Sequence, residues 1–340
     1  MKNSDGLELD YVPPFTITDK IMRHVSSISE KLGKLSKFEN LQSKPHLRRN
    51  NKVKSVHASV RIEANSLSFV DALDILNGKQ VLGDRKEIQE IKNAYAAYER
   101  LAEIDVYSLE ELKYMHGLMT KYLLDEAGVF RRGEEGVFAG GVCIFMAPPA
   151  RLVPELMRQL FVWMQMQKDV VHPLILAAVF HYEFVFIHPF ADGNGRMARL
   201  WHSAILSKWR PVFEFIPMES QIERFQEEYY GAISQCHALG TSTPFIEFFL
   251  EKLDGLLDEF TQELLETHEE PSKYVKTLLR VMQEGTYYSA NELLELLNLK
   301  SKETLRKNYL GPAIKSGLIR MLLPDKPNSK NQAYVKVGGE

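Results

Sequence analysis

The sequence predicts a mainly α protein in which a helical core carries one β-hairpin and a small helical module closes the chain. Three observations lead there. Apolar residues recur at helical spacing through most of the chain up to Leu265. A Gly-Gly turn, Gly140–Gly141, is flanked by short apolar runs rich in Val, Ile and Phe. A charged, Pro-containing stretch, ETHEEPSK (Glu266–Lys273), sets off a different pattern beyond it.

The elements follow in order. Up to Ile17 the chain contains Pro and lacks periodicity, so it is read as extended. Helical periodicity begins near Asp19 and returns through LRRNNKVKSVHASVRIEAN (Leu47–Asn65). In SLSFVDALDILNGK, Ser68 caps a helix and Gly78 ends it. Gly83–Ile104 reads as one long helix, with Ile88, Ile91, Ala94 and Tyr95 on its apolar face. Ser108–Leu124 is another, with Ser108 and Glu111 as a capping box. RRGEEGVFAGGVCIFMAPPARLVPELMRQL then reads as a β-hairpin, a break at Pro148 and Pro149, and a new helix near Val153. Two helices, Pro173–Ile187 and Gly195–Lys208, flank the stretch HPFADGN.

Beyond the linker, helices at Tyr274–Glu284, Ala290–Leu297 and Lys302–Ser316 precede two short strands around PDKPNSKNQ, the pattern of a winged helix-turn-helix domain. The expected organisation is an N-terminal helical region (1–104), a core (105–265), a linker (266–273) and the terminal module (274–340).

Composition bounds the function. The 340 residues are 45% hydrophobic and 26% charged, with a net charge of −3, which argues against a protein that coats nucleic acid with its whole surface. Only Cys143 and Cys236 occur, so neither a disulfide framework nor a zinc ribbon is expected and a reducing compartment fits. The N-terminus has no apolar signal core. The greasiest stretch, Leu174–Ile187, is too short to span a bilayer and includes His181, Tyr182 and Glu183. The expectation is a soluble cytoplasmic protein with no membrane partner.

The chemistry concentrates in HPFADGNGRMAR (His188–Arg199). Gly193 and Gly195 permit a concave array of backbone N–H groups, and the following helix adds unpaired N–H groups and the positive end of its dipole. Asn194 would add an amide donor, while Arg196 and Arg199 can clamp further phosphate oxygens. Asp192 would repel a phosphate unless a hard cation lay between them; Mg²⁺, which takes one or two carboxylates plus phosphate and water, fits. His188, four residues earlier, is placed as a general base. Together these suit in-line phosphoryl or nucleotidyl transfer. A zinc site is a weaker rival, because His172, His181 and His188 are nine and seven residues apart. A Walker-type loop is excluded because GxxxxGK(S/T) does not occur.

HPFADGNGRMAR matches HxFx(D/E)GNGRxxR, the signature of the Fic family, at every fixed position, and the chain resembles that family from about Leu47 to Leu265. The hairpin GVFAGGVCIFM resembles the family's target-binding flap, and TPFIEFF (Thr243–Phe249) its closing core helix. The resemblance implies a helical core that transfers AMP from Mg-ATP to a Ser, Thr or Tyr hydroxyl of a target protein, itself included. His188 would take the hydroxyl proton and Asp192 would hold Mg²⁺. Gly193, Asn194, Gly195, Arg196, Met197, Ala198 and Arg199 would bind the nucleotide. Relatives that transfer other groups usually depart within the signature and this chain does not. Tyr230, in RFQEEYYGAI, resembles a position lining the nucleotide pocket; a plain helix-surface or core tyrosine reads equally well.

SVRIEAN (Ser59–Asn65) resembles the family's inhibitory helix, (S/T)xxxE(G/N). Ser59 and Glu63 match, and Ala64 stands where Gly or Asn is usual. The resemblance implies that Glu63 pairs with Arg199 and occupies the γ-phosphate position, within the same chain. The same glutamate could orient water for the reverse reaction, removal of AMP. In the terminal module, Lys302, Arg306, Lys307 and Lys315 fall on the recognition helix and Lys326 and Lys330 in the wing, interrupted by Glu303 and Asp325. DNA binding and a merely solvated face both stay open, as does a homodimer. The competing reading is a DNA-binding regulator whose core only senses nucleotide.

Overall fold

The computed structural model describes residues 11–35, 45–139, 142–268, 272–315, 317–323, 327, 329 and 332–337, with backbone alone for 45–48, 137–139, 142–144, 263–268 and 315. The chain divides into two compact units, Met1–Asp258 and Glu259–Glu340.

The first unit begins with α1 (Asp19–Leu35), α2 (Pro45–Ile62), α3 (Phe69–Leu76), α4 (Arg85–Glu99) and α5 (Leu109–Met119). The hairpin β1 (Gly136–Ala139) and β2 (Val142–Met146) follows, antiparallel, with a register shift between Val137 and Phe138. Then come α6 (Val153–Gln167), α7 (Pro173–Ile187), α8 (Asn194–Trp209), α9 (Met218–Arg224), α10 (Gln226–Leu239) and α11 (Thr243–His268), whose residues after Asp258 belong to the second unit.

Local chemistry sets the boundaries. Ser68 caps α3 in a capping box with Asp71, and Gly78 takes a left-handed turn just past its end. Ser108 accepts the Glu111 N–H and starts α5. The helix expected over Gly83–Ile104 is shorter. Asp84 accepts the Lys86 N–H at 2.7 Å, starting α4 at Arg85, and a 3₁₀ turn at Leu101–Glu103 follows it. That tighter turn brings both Leu101 and Ile104 into the core.

At the centre lie α7 and α8, packed along each other. From Leu174 to Phe184 every residue of α7 is buried, as the unbroken apolar run requires. Phe161, Phe180 and Trp201 meet edge-on or tilted at centroid distances of 5.8–6.3 Å. Each such ring contributes about 2–3 kcal/mol by burial. This rigid pair fixes the ends of the loop between them. α2 lies against α4 and α9, which brings its C-terminus to the same place.

The second unit holds α12 (Lys273–Val281), β3 (Tyr287–Ser289), α13 (Ala290–Leu296), α14 (Lys302–Thr304), a π-helical turn (Leu305–Leu310), α15 (Gly311–Lys315), β4 (Ile319–Met321) and β5 (Ala333–Lys336). Its sheet is antiparallel in the order β3-β5-β4, over a core that includes Leu278, Leu293, Leu305 and Ala313. Strand β3 was not expected; its aromatic YYS is too short to carry a period. The helix expected over Lys302–Ser316 widens at Leu305–Leu310 because Pro312 has no N–H for the ladder, and Gly311 bonds back five residues to Arg306. Lys326, Lys330 and Asp325 lie outside the described residues.

Candidate active site

The loop begins with an unusual backbone. His188 ends α7 in the left-handed region, φ 51° and ψ 60°, and Pro189, which disfavours a right-handed helical residue before it, keeps the helix from continuing. A side chain there costs about 1–2 kcal/mol. Arg131 holds the conformation. Its Nε donates to the His188 carbonyl at 2.6 Å, and its other nitrogens donate to the carbonyls of Gly133 (2.8 Å), Pro148 (2.5 Å) and Ile187 (3.3 Å). Its backbone N–H takes the Pro189 carbonyl at 2.9 Å. Arg131 is buried, so one guanidinium ties the end of α7 to both feet of the β-hairpin. Burial lowers the His188 pKa, opposed by a hydrogen bond to Val185 and the charge of Glu135. The imidazole is therefore neutral at physiological pH, the form a base requires.

The turn that follows is clasped from within. Asn194 Oδ1 accepts the Phe190 N–H at 2.9 Å and its Nδ2 donates to the Phe190 carbonyl at 2.7 Å. This corrects the expectation that the Asn194 amide serves an anion: buried in the loop, it is spent on closing it. Phe190 is fully buried and stacks on His116 at 3.7 Å. His116 accepts the Gly128 N–H on Nδ1 at 2.9 Å, which leaves its Nε2–H to donate to the Asp192 carbonyl at 2.9 Å. Burial pushes the His116 pKa down to about 4, so this tautomer persists. Gly193 has φ 83°, and a Cβ there would lie 3.1 Å from Thr120 Cγ2. Only glycine fits without strain.

The first intrahelical bond of α8 runs from Met197 N–H to the Gly193 carbonyl at 2.9 Å. The N–H groups of Asn194, Gly195 and Arg196 precede it, so the helix offers three donors and its positive dipole end. The Met197 N–H is therefore used within the helix. The Met197 and Ala198 side chains are fully buried and serve the core. Asp192 is 44% exposed, and its hydrogen bonds fall on Oδ1, from Arg196 Nη2 at 3.0 Å and from the Gly193 N–H. The second oxygen takes no hydrogen bond from the described residues. One carboxylate oxygen left open beside three unpaired N–H groups fits Mg²⁺, which takes most of its ligands from phosphate and water. Among the described residues no group of three or more His, Cys, Asp or Glu could hold a metal by itself, so the zinc alternative has no donor set.

Both arginines are engaged by protein. Arg196 is buried, with Nη1 3.5 Å from Glu90 Oε1 as well as Nη2 on Asp192. Arg199 donates from Nε to Ser59 Oγ (3.1 Å) and from Nη2 to the Ser59 carbonyl (2.9 Å) and Glu63 Oε1 (2.7 Å). Burial is the largest effect on Arg199 and would lower its pKa, but the Glu63 charge and hydrogen bond, with Tyr229 and Tyr98, together outweigh it and hold the guanidinium above its ordinary value. The contact is charge-assisted, worth at most about 2–3 kcal/mol, less because the Glu63 side chain is 35% exposed. The Glu63 carboxylate lies directly over Gly195: a Cβ at Gly195 would overlap Glu63 Oε1 and come within 3.1 Å of Arg199 Nη1. Ala64 takes φ 66°, which explains why glycine or asparagine suits that position and shows that alanine can hold it under strain.

Tyr230 is 48% exposed and packs edge-on against Tyr229 at 5.1 Å. Tyr229, not Tyr230, is the buried tyrosine beside Arg199, and its hydroxyl meets His181 Nε2 at 2.9 Å. Residue spacing along α10 does not distinguish the two. His116, Arg131, Asn65 and Glu90 were not assigned roles from sequence. Glu90 alone left a trace, a charge in line with the buried face of α4.

The Fic/DOC family profile matches residues 106–206, and that of the Filamentation induced by cAMP protein Fic-like C-terminal domain matches residues 273–335. A solved Fic family protein from Desulfovibrio desulfuricans G20 is 38% identical, covers 97% of this chain and 99% of its own, and superposes with a TM-score of 0.73. Protein adenylyltransferase Fic of Drosophila mojavensis is 28% identical over 250 residues, 69% of this chain and 47% of that protein. The Nematostella vectensis protein of the same name is 36% identical over 117 residues, 30% of this chain and 26% of that protein. The chain thus spans about half the length of the first of these curated relatives and less of the second.

Proposed function

The chain belongs to the Fic family, and on that premise we propose that it transfers AMP from Mg-ATP to a Ser, Thr or Tyr hydroxyl of a protein, restrained by its own Glu63. The observation that carries this reading is the α7–α8 loop, where a neutral, strained His188, a partly exposed carboxylate and the open N-terminus of α8 follow one another along the chain. In the proposed reaction His188 removes the proton from the target hydroxyl as its oxygen attacks the α-phosphorus. The bond from the α-phosphorus to the bridging oxygen breaks, and pyrophosphate leaves with that electron pair. The N–H groups of Asn194, Gly195 and Arg196 receive charge on the phosphates. Arg196 and Arg199 hold the departing part, and Tyr230 borders the nucleotide pocket. Asp192 would hold Mg²⁺, which when bound neutralises phosphate charge.

Glu63 restrains by position and charge. It takes the Arg199 fork and fills the space above Gly195, so the terminal phosphate of ATP meets a carboxylate where it needs a cation. Ser59 holds the same guanidinium from behind. Displaced from Arg199, Glu63 could also orient water for AMP removal, the reverse direction of the same site.

We read the second unit as a winged helix-turn-helix module that positions targets, with DNA as the alternative partner through 274–340. Support comes from its helices and three-stranded sheet, and from Lys302, Arg306 and Lys307 sharing one pocket with Glu303. A homodimer and self-modification belong to the same reading. So does a cytoplasmic setting, in keeping with the absence, among the described residues, of a helix long and apolar enough to cross a membrane.

The test is the origin of the transferred group. Glu63→Gly protein incubated with Mg²⁺ and ATP should become labelled, or label a lysate protein, from α-labelled but not γ-labelled ATP. His188→Ala in the same background should abolish the label. Label from γ-labelled ATP, or none from either, rejects nucleotidyl transfer.

A further inference from the structure

The C-terminus of α2 reaches both arginines of the site, by two routes that diverge at Ala64. Glu63 meets Arg199 directly. Asn65, buried, donates from Nδ2 to Glu90 Oε2 at 2.9 Å and to the Glu87 carbonyl at 3.1 Å, and its Oδ1 accepts the Leu67 N–H at 3.2 Å. Glu90 presents its other oxygen to Arg196 Nη1, and Arg196 Nη2 holds Asp192 Oδ1. Asn65, Glu90 and Arg196 are all under 10% exposed, whereas Asp192 opens to solvent.

We infer that Glu90 is a positioning residue for the Asp192 carboxylate, acting through Arg196 and anchored by Asn65. The inference rests on the nucleotide-transfer reading above and concerns a different carboxylate from the one that restrains it. Three features support it. Glu90 supplies the second anionic partner that keeps the Arg196 fork in one plane. Arg196 is otherwise under-held: its Nε is buried with no hydrogen-bond partner, so removal of Glu90 leaves Asp192 as its one ion-pair partner among the described residues. Arg196 in turn occupies one oxygen of Asp192, so the other is presented in a fixed direction. Partners of a metal-binding carboxylate set its affinity in this way.

One helix end therefore has opposite effects. Glu63 restrains the site, and Asn65 with Glu90 supports it. Removing Glu63 alone should release the enzyme, whereas disrupting the whole α2 terminus should release it and weaken its hold on Mg²⁺.

The experiment measures ATP binding by calorimetry as a function of Mg²⁺, in the Glu63→Gly protein and with Glu90→Gln, Glu90→Asp or Asn65→Ala added. Glu90→Gln should raise the half-saturating Mg²⁺ concentration about tenfold, the lower end of the range for such partners. ATP binding in the presence of EDTA should change less than about twofold, since the α8 donors remain. Glu90→Asp should recover part of the loss, and Asn65→Ala should give a smaller shift in the same direction. An unchanged Mg²⁺ requirement in Glu90→Gln overturns the inference, as does a parallel loss of EDTA-resistant binding, which would mark a merely structural role. Should Glu90→Gln fail to fold, an unchanged requirement in Asn65→Ala overturns it equally. If the Glu63→Gly parent binds no ATP with or without Mg²⁺, the nucleotide-transfer reading itself falls, a result distinct from binding that ignores Glu90.

Discussion

Replacing Ala64 with glycine should tighten the restraint rather than loosen it. Ala64 sits at φ 66°, between the residue that holds Arg199 and the residue that holds Glu90. An alanine there costs about 1–2 kcal/mol. Glycine removes that cost but gives back about 0.4–1 kcal/mol through the greater freedom of the unfolded chain. The net is a gain of about 0.5–1 kcal/mol for the docked α2 terminus, corresponding to a shift of about two- to fivefold in its opening equilibrium. Two readouts follow. The melting temperature should rise by about 1–4 °C, the scale for a unit of this size, and transfer from α-labelled ATP by the otherwise unaltered chain should fall two- to fivefold. The transfer assay is run below saturation, where a change in the opening equilibrium appears directly. A lower melting temperature would refute the backbone argument. A higher one with unchanged transfer would refute the idea that docking of this terminus limits the reaction.

Two further expectations come from other parts of the site and its surroundings. Arg131→Lys keeps the charge but loses the fork that reaches the carbonyls of His188, Gly133 and Pro148. In the Glu63→Gly background it should lower the transfer rate by up to about a hundredfold, the scale for a small misplacement of a reacting group, with ATP affinity little changed; calorimetry alongside rate measurement separates the two. Glu183, buried in α7 and hydrogen-bonded by Tyr11 at 3.1 and 3.2 Å, has its pKa raised to about 7, first by burial, against the lowering effect of its hydrogen bonds. The folded state thus holds this proton more tightly than the unfolded chain. The stability it contributes is complete below the ordinary value of 4.5 and is lost as pH rises through 7. The span corresponds to roughly 3 kcal/mol. Urea titrations at pH 5.5 and 8.5 should show a steeper loss of stability in the natural chain than in Glu183→Gln, and equal slopes would reject it.

The loop was legible in the sequence because its geometry is local. A glycine that must turn left, a proline that ends a helix and a run of unpaired N–H groups are all contained between His188 and Arg199. The starts of α3 and α5 were legible for the same reason, through Ser68 and Ser108, whereas α5 ends at Met119, short of the expected Leu124. What escaped was held by distant partners. Arg131 reaches His188 from 57 residues away, His116 reaches Asp192 from 76, and Arg196 meets Glu90 across 106. No periodicity marks such pairs. Asn194 was misjudged because an amide at the mouth of a phosphate cradle looks like a ligand until its two bonds to Phe190 are seen. β3 was missed because pairing with β5, not its own three residues, makes it a strand, and the π-turn because Pro312 acts on the turn before it.

On the proposed reading Glu63, seated on Arg199 over Gly195, keeps a competent site from using ATP productively. The most direct measurement is the initial rate of AMP transfer from α-labelled ATP by Glu63→Gly relative to the natural chain, at equal protein and Mg²⁺. Loss of a charge-assisted contact of about 1.5–2 kcal/mol predicts a rate at least about tenfold higher. Equal rates, with both proteins folded and His188→Ala inactive, would contradict the restraint while leaving the transfer chemistry in place.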